Sequence, residues 1–545
     1  MRWPCFLSSL GVILGITPAC AAPGGALEGR LTLDVTTARL ETRVLQDDFH
    51  LAQDPDTGRN RIPAFSFAYI QDGAALLPVK AGAIPGNHPV WEWVLTAGAL
   101  KRDDKGLHAS LPVALMEKNE NCLHNGVLEF TIIPDGQTTK ARLRIASETC
   151  PYFKFDMLGD LPARWHPEQQ PGAAAVQQIF QREKSTYLPQ KPVAALKDAH
   201  PDLALAGLSE SKRIAPSDIS QFGVLMAGVH YAGGCMTRAG LYPHCDQMAV
   251  PSYSLAKSLV AGLALMRLEK LYPGAADEKI AAYVPACQGA AWRGVTFRDT
   301  LSMATGNYTT AGADADESSE TYQAFFQTRT HRQKINFACH HFPHKATPGT
   351  QFAYHTSDTY ILGAALQAFW QEKKGAEHDF FNDLIVRDIF APLGLSPSAQ
   401  WTRRSLDREA QPFTGWGLIL TRQDIAKLLS FLGGQHKDLH PSDLLSSSLF
   451  QAALQKKTAD RGLLAGHPEN KIRYSNGFWA YNAQDDLSCR SETWLPFLSG
   501  YGGLSAVLLP DGGGYYMISD GGQHAFMAAV TQLHHLNSLC GGDPE

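Results

Sequence analysis

Pro251-Ser252-Tyr253-Ser254-Leu255-Ala256-Lys257-Ser258-Leu259-Val260-Ala261-Gly262-Leu263-Ala264-Leu265 is the stretch that decides how the chain is read. After Lys257 it is apolar nearly all round, the pattern of a helix buried on every side. Within it, Ser254 and Lys257 form S-x-x-K. A helix that begins near Ser254 puts both side chains on one face, one turn apart. That geometry suits a serine nucleophile and its base. The helix N-terminus adds a positive potential, which favours the neutral amine and a forming alkoxide. A serine and a lysine on a buried helix are costly unless they serve each other. The bare motif is weak evidence, because a chain of this length holds about two by chance. The second, Ser209-Glu210-Ser211-Lys212, lies in a polar, charged stretch and reads as a solvated surface turn.

The 545 residues leave room for two or three domains. A hydrophobic content of 44% with 19% charge makes the chain globular. A net charge of −5 gives no reason to expect nucleic acid or an acidic membrane surface as partner. Met1-Arg2, an apolar run from Cys5 to Ile16 and the small residues Ala19-Cys20-Ala21 read as a signal peptide over 1–22. A lipid anchor on Cys20 ranks below simple export, since Thr17-Pro18 fits that signal poorly. No other stretch approaches about twenty apolar residues, so the mature chain is expected to lack a transmembrane segment. The expected location is the periplasm.

Of ten cysteines, Cys5 and Cys20 leave with the signal, and an even number remain. In an exported chain these predict disulfides. Sequence alone does not fix the pairing. The sequential choice is Cys122 with Cys150, Cys235 with Cys245, Cys287 with Cys339 and Cys489 with Cys540. There is no C-x-x-C, which argues against a zinc knuckle. Cys339-His340-His341-Phe342-Pro343-His344 looks metal-like but lacks a carboxylate partner at helical spacing. No metal or cofactor is predicted.

Residues 27–165 alternate apolar and polar, as in Leu31-Thr32-Leu33-Asp34-Val35 and Ala141-Arg142-Leu143-Arg144-Ile145, and predict a β-rich, sandwich-like N-terminal domain. No catalytic motif stands in it. Residues 166–215 are rich in Pro, Gln and Ala and read as a linker with one short helix. A catalytic domain is expected over 216–540. In it Phe222–Val229 predicts a strand, Tyr231-Ala232-Gly233-Gly234 a turn, and Thr296 and Thr421 helix N-caps. Asp299 three residues after Thr296 approaches a capping box. Asp358 and Thr359 are expected to cap the helix leading to Gly363. The run from Ser499 to Ile518 predicts a hairpin around Asp511-Gly512-Gly513-Gly514, and an amphipathic helix follows around Ala525 to Leu539.

These blocks, in this order, resemble the serine β-lactamase-like hydrolases: the class C β-lactamases, D-alanyl-D-alanine carboxypeptidases, family VIII esterases and 6-aminohexanoate-dimer hydrolases. Ser254-Leu255-Ala256-Lys257-Ser258 matches the first motif. Val295 to Gly306 resembles the T-x-x-x-L-L-x-M-x-S-G helix, Asp388 to Leu395 the I-x-x-P-L-G-M turn, and Gly417 to Asp424 the G-L-x-x-T-x-x-D segment. Tyr354 falls at the tyrosine of Y-x-N, with Thr356 in place of the asparagine. Tyr501-Gly502-Gly503 falls at the K-T-G or H-x-G motif. The resemblance runs from about Ser217 to Leu539 and leaves the N-terminal part uncovered.

The resemblance implies an α+β, transpeptidase-like fold: an antiparallel sheet flanked by helices, with a helical subdomain between the Ser254 helix and the last hairpin. It also implies a serine hydrolase with Ser254 as nucleophile, and Lys257 with Tyr354 as the proton relay. The backbone N–H groups of Ser254 and Leu504 would form an oxyanion hole, and Thr356, Tyr501, Gly502 and Gly503 would bind substrate. The lysine that meets a β-lactam carboxylate is absent, which favours a small-molecule ester or amide. Arg422 or Arg490 could in principle supply a replacement cation. Two alternatives stay open: a slow-turnover β-lactam- or peptidoglycan-binding protein, and an inactive protein that binds through its N-terminal domain. The oligomeric state is not legible in the sequence.

Overall fold

The computed structural model describes residues 26–53, 58–210, 213–466 and 471–540. The expected signal peptide lies outside them, as do Ser211 and Lys212 of the second S-x-x-K. From Glu28 to Pro167 the chain forms one antiparallel sheet of twelve strands. The period-two pattern is real: Ala141, Leu143 and Ile145 are buried while Arg142 and Arg144 point to solvent. The expected sandwich is corrected, because these strands belong to a single curled sheet. The long strand Gly106–Glu117 pairs with Gly98–Asp103 along one half and with Trp91–Leu95 along the other. The curl brings distant strands into contact: Trp91 stacks on Phe153 at 6.5 Å, and Phe130 stacks on Trp165 at 6.5 Å.

The second sheet has nine strands. Its centre is Ile219–Met226, Gly514–Ser519, Leu504–Leu508 and Trp494–Gly500, all antiparallel. Phe222 does lie in a strand, but the chain reverses at Ala227-Gly228, both in the left-handed region, and Val229–Gly234 is the returning strand rather than a turn. Residues 166–215 are not a free linker. They carry the helix Ala173–Ser185, and Gln190–Pro192 joins the second sheet in parallel with Val229–Gly234. Leu196, Leu203 and Leu208 are buried, which fixes that segment to the sheet. The isolated leucines were too widely spaced to give a periodic signal.

The sheet separates two cores. Tyr515 and Met517 face the terminal helix Met527–Leu536, while Tyr516 and Ile518 face the helices that follow Ser254 and Thr421. Helices between Ala275 and Ala453 form the inserted helical region. Thr296 and Thr421 are N-caps as expected, each closing a capping box with Asp299 and Asp424. The large core is continuous from Leu31 and Trp91 of the first sheet to Leu255 and Leu265 of the buried helix. No helix among the described residues is long and apolar enough to cross a membrane.

Four disulfides join Cys122 to Cys150, Cys235 to Cys245, Cys287 to Cys339 and Cys489 to Cys540, the sequential pairing. Cys339 is thereby removed from any metal site, and His341 beside it stacks on Phe337 at 4.2 Å. Maleimide labelling of the denatured, unreduced mature protein should find no free thiol, and its peptides should be linked in these four pairs. Any other linkage would show that the chain closes differently.

Candidate active site

The segment before Ser254 is held on both sides. Val250-Pro251 pairs antiparallel with Ile419-Leu420. Tyr253 then takes a left-handed conformation, φ 40°, rare for an aromatic residue and worth about 1–3 kcal/mol of strain. The chain enters helix at Leu255, with short i to i+3 bonds closing onto Ser252, Tyr253 and Ser254. A π-helical stretch, Lys257–Gly262, follows and continues as α-helix over Leu263–Leu271. Such bulges gather at functional positions.

The strain has a counterweight from the first sheet. Asn121, 1% exposed, accepts from the backbone N–H of Tyr253 at 2.8 Å and of Gly417 at 3.1 Å, and donates to the carbonyl of Leu418 at 3.2 Å. Ser252 Oγ donates to the same Asn121 oxygen at 3.3 Å. The Tyr253 phenol donates to Thr149 O at 2.7 Å and touches Cys122 Sγ. Buried hydrogen bonds of about 1 kcal/mol each are enough to offset the φ penalty.

Lys257 Nζ has three oxygen neighbours: Ser254 Oγ at 2.9 Å, Thr356 Oγ1 at 2.8 Å and Gly415 O at 3.3 Å. The lysine is 1% exposed and Ser254 is half-buried. Burial pulls the Lys257 amine down to about 8, against the carboxylates of Glu317 and Asp358, which hold it up. An amine with that pKa is partly neutral at physiological pH. Gly415 must be glycine, since a Cβ there would lie 2.6 Å from Thr359 Oγ1 and 2.8 Å from Thr356 Cγ2.

Tyr354 is buried, with its ring centroid 4.9 Å from Lys257 Nζ and its phenol beside Ser254. Burial pushes the phenol well up, and Glu317 adds to this. Both effects favour the neutral phenol. Thr356, expected to contact substrate, is 2% exposed and turned to Lys257 and Glu317 instead. Glu317, which no motif marked, accepts from the Thr356 backbone N–H at 2.8 Å and from its hydroxyl.

Behind these groups lies a second charged set. His355 Nε2 is 2.9 Å from Asp316, and its Nδ1 is 3.6 Å from Asp358, too long for a hydrogen bond but close enough to attract. Burial works against the imidazolium, but the two aspartates outweigh it and hold His355 up to about 9. Asp358 is thus not a helix cap: the helix Thr356–Lys374 has His355 at its N-cap position with no side-chain cap. Thr359 Oγ1 donates to Thr356 O.

Tyr501-Gly502-Gly503 forms the tight turn between the strands Trp494–Gly500 and Leu504–Leu508, rather than a strand. Gly503 has φ 103°, and a Cβ there would meet Gln523 O at 2.5 Å. The turn abuts the nucleophile segment, since a Cβ on Gly500 would lie 2.9 Å from Ser252 O and 2.8 Å from Leu255. Tyr501, 52% exposed, packs edge-on against Tyr253 at 5.6 Å and lies 6.5 Å from Tyr152 of the first sheet. Arg422 is held by Asp246 at 2.5 Å and so is not a free cation for this turn. Asn121 had no signal beyond its place beside Cys122, and Glu317 none beyond an acidic run.

Replacing Asn121 by alanine should destabilise the whole protein by about 2–3 kcal/mol, because it strands the Tyr253 and Gly417 amides. Denaturant unfolding measures this, and an unchanged midpoint would mean that the turn stands without the first sheet.

The Beta-lactamase family model matches residues 229–539. No curated protein sequence matches the chain. Similar solved structures include a protein from Bacillus anthracis described as a 6-aminohexanoate-dimer hydrolase, at 16% identity over 64% of this chain and 82% of that one, TM-score 0.44. EstCE1, a hydrolase with promiscuous acyltransferase activity, is similar at 16% identity over 67% of this chain and 100% of its own, TM-score 0.43. A class C β-lactamase is similar at 13% identity over 67% of this chain and 98% of its own, TM-score 0.40. With the matched residues covering more than half of the sequence, the chain belongs to the Beta-lactamase family.

Proposed function

We propose that this protein is an exported serine hydrolase that cleaves an ester or amide through an acyl-enzyme on Ser254. The observation that carries this is the 2.9 Å contact between Ser254 Oγ and a buried lysine whose amine is pulled down to about 8. In the neutral state Lys257 keeps two N–H groups for Thr356 and Gly415 and turns its lone pair to the serine hydroxyl. It takes that proton as Oγ attacks the carbonyl. The N–H groups of Ser254 and Leu504 receive the developing oxyanion. The protonated Tyr354 phenol, beside Ser254, gives its proton to the leaving group and is recharged from Lys257. Water then releases the acyl group by the reverse path. The four disulfides support an oxidising, periplasmic location.

The substrate is expected to carry no carboxylate near the scissile bond. Tyr501 stands where relatives are expected to hold a cation, and Asp48 lies close enough to push its phenol up after burial has done so. Losing a charge-assisted hydrogen bond removes roughly 1.5–3 kcal/mol, or about one to two decades in kcat/KM. Thus kcat/KM for p-nitrophenyl butyrate should exceed that for nitrocefin and for a D-alanyl-D-alanine peptide. The opposite order would overturn the substrate assignment.

Ser254→Ala should abolish ester hydrolysis and fluorophosphonate labelling while leaving a folded protein. Retained turnover would rule out the acyl-enzyme. Lys257→Ala and Tyr354→Phe should each lower kcat by about 10² or more, and the double variant by less than the product, as for groups in one relay. Fully multiplicative losses would argue for separate roles.

A further inference from the structure

We propose that Glu317 is a positioning residue for the Ser254–Lys257 pair: by accepting the hydrogen bond that the Thr356 hydroxyl donates, it makes Thr356 an obligate acceptor towards Lys257 and so aims the Lys257 lone pair at Ser254. This rests on the serine-hydrolase reading and extends it to a carboxylate that no motif marks. The argument is one of donor and acceptor counting. A neutral lysine amine has two N–H groups and one lone pair. Nζ has three oxygen neighbours: Gly415 O, Thr356 Oγ1 and Ser254 Oγ. The carbonyl of Gly415 accepts and nothing else. If Thr356 also accepts, both N–H groups are used and the lone pair is left for the serine O–H. If Thr356 instead donates to Nζ, the lone pair is consumed there and the serine loses its base. A hydroxyl can do either, whereas an amide carbonyl cannot.

Glu317 settles the choice. Its carboxylate accepts the Thr356 backbone N–H at 2.8 Å with Oε2 and takes the hydroxyl with Oε1. An ionised carboxylate has no donor, so the hydroxyl proton must point to it. The grip is two-pronged and fixed to the first turn of the helix Thr356–Lys374, which limits rotation. The charged and titratable groups around this pair are Lys257, Tyr354, Asp358, His355 and Tyr322, with Asp316 behind His355. Glu317 itself and Asp358 are the carboxylates that hold the Lys257 proton on.

The sign of the test follows. If neutral Lys257 is the active form, activity rises with pH through the amine pKa, near 8 in the parent protein. Glu317→Gln removes a negative charge that favours the ammonium. Its acid limb should therefore move to lower pH, by roughly half a unit or more. The plateau should fall about tenfold, because either amide orientation sets a donor against the Thr356 N–H or competes with its hydroxyl proton. Glu317→Ala should lose more, and adding Thr356→Asn should recover at least about tenfold, since the asparagine carbonyl is a fixed acceptor for Nζ.

The measurement is kcat/KM for p-nitrophenyl butyrate from pH 5.5 to roughly 10, with circular dichroism to verify folding. A limb that stays in place in Glu317→Gln, or a folded Glu317→Ala protein as active as the parent, would overturn the assignment. Should Glu317→Ala fail to fold, the Glu317→Gln profile alone decides. Activity surviving Ser254→Ala would instead remove the hydrolase reading itself, so the two failures are separable.

Discussion

The cost of burying one ammonium organises the site. Lys257 is almost wholly removed from water, and an isolated charge there would be untenable. The protein answers in two ways at once. Desolvation pulls the amine towards neutrality, and a ring of oxygens from Ser254, Thr356 and Gly415 satisfies whichever state is present. Glu317 and Asp358 keep the shift from running further. A lysine in bulk water would be almost always charged at neutral pH and useless as a base, and one buried without acids nearby would be neutral but held by nothing. The surrounding glycines follow from the same demand, because Gly415 must lie close against the helix Thr356–Lys374 for its carbonyl to reach Nζ.

The geometry of the serine is a separate problem with a separate solution. Ser254 follows a residue in a strained conformation, and strain persists only where its surroundings over-determine it. Three elements do so: the two-residue pairing of Val250-Pro251 with Ile419-Leu420, the turn at Tyr501-Gly502-Gly503, and the Asn121 loop of the first sheet. The first two come from the matched family region. The third does not, which gives the N-terminal sheet a direct physical connection to the nucleophile turn.

Much of this was legible from residue order. The buried helix, the Ser254–Lys257 spacing, the capping boxes at Thr296 and Thr421 and the nearness of Tyr354 to Lys257 all follow from local periodicity, cap chemistry or family motifs. What was misread depended on tertiary contact. Thr356 looked like a substrate ligand because its motif neighbour in relatives is an amide, but burial turned it to Lys257 and Glu317. Asp358 looked like a cap because it sits in a first turn, yet it is drawn to His355 and Lys257 instead. Asn121 and Glu317 lie in irregular loops, where no period or cap announces a role and only the closed fold brings them to the site. The curl of the first sheet was likewise invisible, since alternation tells which face is buried but not what buries it.

The Asn121 loop has a consequence for how such a chain can be varied. The matched region looks like a portable module, ready to be cut out or swapped for a relative's. Yet one asparagine beyond its border accepts hydrogen bonds from two backbone amides inside it, and the apolar interior runs through the border without a break. The two regions are therefore coupled through that asparagine and through a shared core. A substitution among the strands around Cys122 is felt at the serine, and a transplanted catalytic half would arrive without the anchor its strained tyrosine needs.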